Sequence, residues 1–367
     1  MTSWKTYRLG DIAKFQTGKL NSNAAVENGK YPFFTCSPTT LSIDTYAFDK
    51  EAILLAGNNA EGNFSIKYYK GKFNAYQRTY IIETYNDICD IKFLFYALKL
   101  CLQQFKLMSQ GTSTKFLTAV ILNNFEISLP SLEEQRGIAG ILGAIDDKIE
   151  NNRRINTNLE LQAQALFDKW CESCSKNITI KELADNILDY TPNANSEVVL
   201  LNSSDVTQGV FAKLPLVSNV NLKGQFKKRF QKGDILYSEI RPRNKHYAYC
   251  YFDSDKYIAS TRLIILRGKK EKIVSNTLLY QYLISQNVFE EFTLKTETRS
   301  GTFPQGNYQD LSSIVVPYSD NQREIAGVLD SIYKKIWHNN TEIETLATLR
   351  DTLLPKLMNG EIKISEL

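Results

Sequence analysis

The chain has 367 residues, 43% of them hydrophobic, and a net charge of +4, which allows two domains that each bury a core. No apolar run of about 18 residues occurs and residues 1–15 hold no apolar leader, so neither a helical membrane span nor a signal peptide is expected and the cytoplasm is the expected compartment. Six cysteines lie mostly apart, which fits reduced thiols, and two histidines are too few for a histidine-rich metal centre.

In chain order, the first 130 residues read as a mixed α and β lobe. Residues 52–56 (AILLA) and 80–84 (YIIET) are expected strands, and residues 91–105 an expected helix. Directly after the first strand comes a polar Gly/Asn loop with Asn58, Asn59 and Asn63. Asn can pair bidentately with adenine in the major groove. Tyr76, Gln77 and Arg78, and then Thr112 and Lys115 in a Gly-Thr-Ser-Thr-Lys loop, add donors nearby in sequence.

Residues 131–176 read as one long helix, opening on a Ser131-x-x-Glu134 capping box. Its apolar seam is Ile138, Leu142, Ile145, Ile149, Asn152, Asn156, Leu159, Ala163, Leu166 and Trp170. The steps alternate four and three, the period of a left-handed coiled coil. The helix is expected to stop near Cys174.

Residues 177–318 repeat the lobe pattern, with strands at 198–201, 234–237 and 263–266 and a helical stretch at 276–292. Residues 48–54 (FDKEAIL) match 230–236 (FQKGDIL), and 75–78 (AYQR) match 259–262 (ASTR). After the strand at 234–237 comes the densest polar cluster of the chain: Glu239, Arg241, Arg243, Asn244 and Lys245. Arg pairs with guanine and Glu with cytosine at base edges. Arg262, Arg299 and Thr302 join this set, while Lys227, Lys228 and Arg229 suit phosphates.

Residues 319–367 form the second long helix and its tail. Residues 316–336 (VPYSDNQREIAGVLDSIYKKI) repeat 129–149 (LPSLEEQRGIAGILGAIDDKI). The second seam is Ile325, Leu329, Ile332, Ile336, Asn339, Ile343, Leu346, Arg350, Leu353 and Leu357. A Ser319-x-x-Gln322 box is its expected start and Asn359-Gly360 its expected stop, with Pro355 a candidate kink. Asn152 and Asn339 hold equivalent seam positions, where a buried Asn fixes register. If the helices pair antiparallel, with the pseudo-two-fold relation the repeat suggests, these two side chains are expected to face each other. The lobes carry +4 each and the helical segments −2 each. Basic lobes suit a polyanion.

Catalytic motifs are missing: no GxxxxGKS/T, no GxGxxG after a strand, no HExxH and no Asp/Asn-Pro-Pro-aromatic string. Asp234 to Arg241 looks faintly like a nuclease string, and Cys171 and Cys174 have CxxC spacing without a second pair. An ordinary strand edge and isolated thiols explain both. No metal is expected.

Several motifs together carry a family pattern. They are residues 4–12 (WKTYRLGDI), residues 300–302 (SGT) with Gly111-Thr112, the Leu-Pro and Gln-Arg-x-Ile-Ala strings, and residues 353–362 (LLPKLMNGEI). Over its whole length the chain resembles the specificity subunit of type I restriction-modification systems. That resemblance implies an α+β fold in which two target-recognition domains are separated by two long helices in an antiparallel coiled coil. It implies a non-catalytic subunit that reads a bipartite double-stranded DNA site and docks two modification (methyltransferase) subunits. Those partners would bind S-adenosylmethionine and methylate adenine N6, and restriction (translocase/nuclease) subunits would join for cleavage. A specificity subunit of a related two-component system, a coiled-coil scaffold without DNA binding, and a single-chain enzyme stay open as alternatives.

Overall fold

A computed structural model describes residues 4–85, 87–222, 224–298 and 304–364. The chain divides into two compact units, residues 1–150 with 343–367, and residues 151–342. Each unit contains one lobe and a stretch of both long helices, so the division cuts the helices rather than separating them from the lobes.

The first lobe is built on a six-stranded sheet. Its order is Ala13–Thr17, Thr79–Thr84, Phe48–Ala56, Ile66–Ala75, Tyr31–Phe34 and Leu41–Ile43. The first four strands are antiparallel neighbours. The apolar string Ile53, Leu54 and Leu55 is buried on both faces, which explains why it shows no alternation. The second lobe repeats the four-strand core as Ala184–Asn186, Leu263–Gly268, Ile235–Ser238 and Tyr247–Tyr249, again antiparallel. It adds a second sheet in which Glu197–Leu201 runs parallel to Tyr257–Ser260.

Each expected helical stretch divides in two. Ile91–Leu100 is followed by Leu102–Met108, and Asn276–Ile284 by Gln286–Glu297. Asp90 and Ser275 cap the first members.

A two-stranded ribbon closes each lobe. Lys5 pairs opposite Leu129 and Lys176 opposite Tyr318, both antiparallel. The strand that leads into each long helix is thereby pinned to the strand that opens its lobe. The first long helix spans Leu132–Glu172 and the second Arg323–Met358. At 1.5 Å per residue, the 41 residues of the first extend about 60 Å.

The repeated Gln-Arg string explains how each helix meets its lobe. Gln135 is 1% exposed; its Nε2 donates to the carbonyls of Ile88 (3.2 Å) and Pro130 (3.0 Å), and its Oε1 accepts from Asp90 N (2.9 Å). Gln322, also 1% exposed, donates to Lys272 O (2.9 Å) and accepts from Val274 N (3.2 Å). Both glutamines hold the loop that starts the lobe's capped helix. This use corrects the expected second capping box. The second helix begins at Arg323, so Gln322 precedes it, and Ser319 Oγ instead accepts from Asn321 N (3.2 Å). The first box is half made, with Glu134 N donating to Ser131 Oγ (3.2 Å).

Within each unit the long helices run antiparallel. In the first, Ile138, Ala139 and Leu142 share a core with Leu354 and Leu357, and Arg350 donates to Asp146 (2.7 Å). In the second, Ala163 and Phe167 pack in one core with Ile325, Leu329 and Tyr333. Asn152 Nδ2 donates to Glu342 (2.8 Å), Asn156 Nδ2 to Asn340 Oδ1 (2.7 Å), and Trp170 Nε1 to Asn321 O (3.4 Å). Rising numbers on one helix thus meet falling numbers on the other.

Two seam details differ from the sequence reading. Asn152 and Asn339 are both buried, yet not bonded to each other: Asn339 Nδ2 donates to Asn156 Oδ1 (2.7 Å), one turn along. In the last turns Phe167 is 2% exposed and Leu166 42%, so the heptad skips a step after Ala163. Phe167 is drawn inward by the ring of Tyr282, 4.9 Å away edge-on. The first helix ends at Glu172, two residues before Cys174, and the second at Met358; it runs through Pro355, and Gly360 follows with φ +73°.

Candidate nucleic-acid interface

In the first lobe three loop segments meet where the strand Phe48–Ala56 ends. Gly57 N donates to Arg78 O (2.8 Å), and Leu117 N donates to Gly57 O (2.9 Å). Asn58 and Asn59 then pair opposite Phe116 and Lys115. A Cβ on Gly57 would lie 2.5 Å from Arg78 O, so only glycine lets the segments approach this closely. The guanidinium of Arg78 sits over the Phe116 ring at 5.3 Å.

The second lobe builds the same junction from different residues. Glu239 N donates to Arg262 O (3.0 Å), and Gly306 N donates to Glu239 O (2.8 Å). Ile240 bridges Gln305, and Arg241 N donates to Pro304 O (2.9 Å). Glu239 therefore stands where Gly57 does, and Arg262 where Arg78 does. Arg78, Gln77 and Thr112 are exposed in the first lobe, as are Arg241, Asn244, Arg262 and Lys227 in the second. Tyr76 and Lys115 are half-buried. Arg299 and Thr302 lie outside the described residues.

The backbone of the second cluster is strained. Arg241 has φ 46° and Lys245 φ 53°, flanking the turn Pro242–Asn244. A left-handed conformation costs a residue with a Cβ roughly 1 kcal/mol or more, and such strain collects at functional loops.

Several expected contact residues already have partners within the protein. Lys228 is a correction to the expected phosphate set: it is buried, and its ammonium donates to Leu263 O (2.7 Å). Burial accordingly lowers its pKa. Arg243 is held bidentate by Glu297 at 2.5 and 2.9 Å. Asn59 Oδ1 accepts from Glu61 N (2.9 Å) and Asn63 N (3.0 Å), closing the loop on itself. Asn63 Oδ1 accepts from Lys106 Nζ (2.8 Å), and Gln77 Nε2 donates to Asn21 Oδ1 (2.8 Å). Asn58 Oδ1 is buried without a hydrogen-bond partner. Arg229 donates to Asp255 O (3.1 Å), and Lys245 sits over the Phe289 ring at 5.1 Å. Phe116, the platform under Arg78, has no sequence signal beyond an isolated aromatic.

Glu239 is half-buried, and burial pushes its carboxyl above the ordinary value against the pull of Lys228 and Arg262. The nuclease-like reading of this string loses its first carboxylate. Asp234 is fully buried and paired bidentate with Arg267 at 2.6 and 2.8 Å. Among the described residues no group of three or more His, Cys, Asp or Glu comes together in a metal-holding arrangement. Burial pushes the Cys171 thiol up to about 12 and raises Cys174, the direction that disfavours the thiolate. Among the described residues no helix is long and apolar enough to cross a membrane.

Comparisons with known proteins converge. The family model described as "Type I restriction modification DNA specificity domain" matches residues 1–161 and again 175–348. The chain is 28% identical to the type I restriction enzyme EcoDI specificity subunit of Escherichia coli, over 98% of this chain and 88% of that protein. It is 36% identical to the HindI specificity subunit of Haemophilus influenzae, over 48% of this chain and 39% of that one. The crystal structure of a type I restriction-modification S subunit from M. genitalium shares the fold, with TM-score 0.67 at 18% identity, covering 97% of this chain and 96% of that one. With the family domain matched twice, in the two segments that each build the same three-segment junction, the chain belongs to the type I restriction-modification DNA specificity family.

Proposed function

We propose that this chain is the DNA-reading subunit of a type I restriction-modification complex and that each lobe reads one half of a bipartite site. One observation carries the reading: the lobes repeat a junction of three loops on a common sheet and differ in the side chains mounted on it. A shared scaffold with divergent loops is what two readers of different sequences require. Arg78, Gln77 and Thr112 are the proposed base contacts of the first lobe, and Glu239, Arg241 and Arg262 those of the second. Lys227 and Lys245 suit phosphates, which position the protein without carrying sequence information. Asn59 and Arg243 are assigned to holding the loops.

The long helices would set the distance between half-sites and dock two modification subunits. Those subunits would hold S-adenosylmethionine and carry out adenine methylation, with restriction subunits added for cleavage. The chain itself supplies recognition, in the cytoplasm where the host DNA lies.

The test is a binding series on duplexes in which one half-site at a time is randomised. Arg241→Ala is expected to lower discrimination in one half by about 1–3 kcal/mol and leave the other unchanged. Equal loss in both halves, or none, refutes the assignment. The purified chain is expected to transfer no labelled methyl group until modification subunits are added.

A further inference from the structure

The second unit contains a cavity of about 190 Å³ that recognition does not use. On this measure one water needs roughly 10–15 Å³, so the space accepts a ligand larger than a few waters. Glu160 of the first long helix, Tyr333 and Trp337 of the second, and Tyr280 of the lobe line it. The turn at Gln208 and Gly209 lines it as well.

The aromatic groups are fixed in place. Trp337 stacks on Tyr249 with centroids 4.4 Å apart and planes 15° apart. Tyr333 lies 5.7 Å from Trp337 and 5.3 Å from Tyr280. The Tyr333 hydroxyl donates to Gln281 Oε1 (2.5 Å), so the phenol is anchored from behind. Gly209 has φ +82°, and a Cβ there would sit 2.9 Å from the Tyr280 hydroxyl, so the turn fits only as glycine.

Glu160 is the unusual member. Its side chain opens to solvent, yet surrounding protein desolvates it enough to raise its carboxyl, and no positive charge offsets that effect. Its field reaches Tyr247, Tyr280 and Tyr333. A carboxylate that is not ion-paired, in one cavity with three aromatic groups, is the arrangement that holds organic cations, through ring quadrupoles and one ion pair. We propose that this cavity binds a small organic monocation of the alkylammonium class. Arg153 also lines the cavity, and its charge disfavours a ligand carrying a second positive centre.

The cavity also touches the recognition cluster. Gln208 N donates to Lys245 O (2.9 Å) and Gly209 N to Tyr247 O (2.9 Å). A bound cation would brace the hairpin that supports the strained turn at Lys245.

The experiment titrates the full chain with tetramethylammonium chloride and follows the methyl resonance by saturation-transfer NMR. Sodium chloride at equal concentration controls for ionic strength, tert-butanol serves as a neutral probe of similar shape, and spermidine as a polycation. The expected result is saturable tetramethylammonium binding, weakened about tenfold or more in Glu160→Gln. It should be unchanged in Glu172→Gln at the same helix's end, and neither tert-butanol nor spermidine should bind more tightly. Circular dichroism checks that both variants keep the wild-type fold. No saturable binding, equal binding in Glu160→Gln, or tighter binding of tert-butanol or spermidine overturns the proposal.

Discussion

Gly57 and Glu239 occupy the same point of the same junction, and this one difference sets the chemistry of each lobe there. Glycine gives the first lobe a close backbone approach, and under the proposed reading the contacts there fall to Arg78 and its neighbours. The second lobe tolerates a side chain and places a carboxylate there, whose pKa burial raises against the pull of Lys228 and Arg262. A raised pKa means that Glu239 protonates at higher pH than an ordinary glutamate and then ceases to be a pure acceptor. Discrimination in the second half-site is therefore expected to fall as pH is lowered, starting at higher pH than an ordinary glutamate would give, and a Glu239→Gln variant should show no such step. A pH-independent wild type would remove Glu239 from the base-reading set. Arg78→Ala is expected to lose about 1–3 kcal/mol of discrimination in the first half-site only, measured by the same randomised duplexes.

Among the elements, the long helices depend on a few buried polar groups. Asn156 and Asn339 form one buried pair, and Asn339 Oδ1 has no partner. Asn156→Leu leaves the Asn339 amide unpaired, and Asn339→Leu leaves Asn156 Oδ1 without its donor while Asn156 Nδ2 keeps Asn340, each at a cost of about 1–3 kcal/mol. The double Leu variant removes both polar groups and is expected to recover most of that loss or exceed wild type. Denaturant midpoints of the single and double variants measure the coupling, and additive losses would show that the pair does not act as one. The glutamine clamps make a parallel case. Gln322→Ala strands Val274 N and removes one of the two donors to Lys272 O, which keeps the Tyr318 hydroxyl, so about 2 kcal/mol of destabilisation is expected. An exposed control, Gln286→Ala, should stay within roughly 0.5 kcal/mol of wild type in the same unfolding series.

Over the whole molecule, charge is divided between +4 lobes and −2 helical segments, so a net charge of +4 understates the basic surface offered to DNA. Phosphate contacts release counterions, and the logarithm of affinity falls with the logarithm of salt by about 0.9 per neutralised phosphate. Binding to a specific duplex is expected to weaken steeply between 50 and 200 mM salt, as the counterion argument requires. Fluorescence anisotropy across a salt series reads the slope directly. A flat profile would favour a scaffold whose lobes do not touch DNA.

How much of this was legible in the chain follows from the range of the forces involved. The apolar strings at 52–56 and 263–266, the seams and the repeated Gln-Arg-x-Ile-Ala string are local patterns: short β-branched-rich runs mark the strands and the heptad period marks the helices. The strand Ile66–Ala75 was not legible. It carries Lys67, Lys70, Lys72 and Gly71, and it is a strand because Phe48–Ala56 supplies its ladder. Phe167 displaced Leu166 from the seam because a ring more than 100 positions away in sequence claimed it. Lys228 read as a surface cation but is buried against a carbonyl, and Arg243 stays at the surface yet is engaged by a carboxylate brought in by a distant segment. Sequence by itself determined the duplicated plan, which rests on residue spacing along the chain, and its motif strings carried the resemblance to the family. Which polar side chains face outward and which are consumed inside was decided only by tertiary packing, because hydrogen-bond partners are chosen by proximity in space.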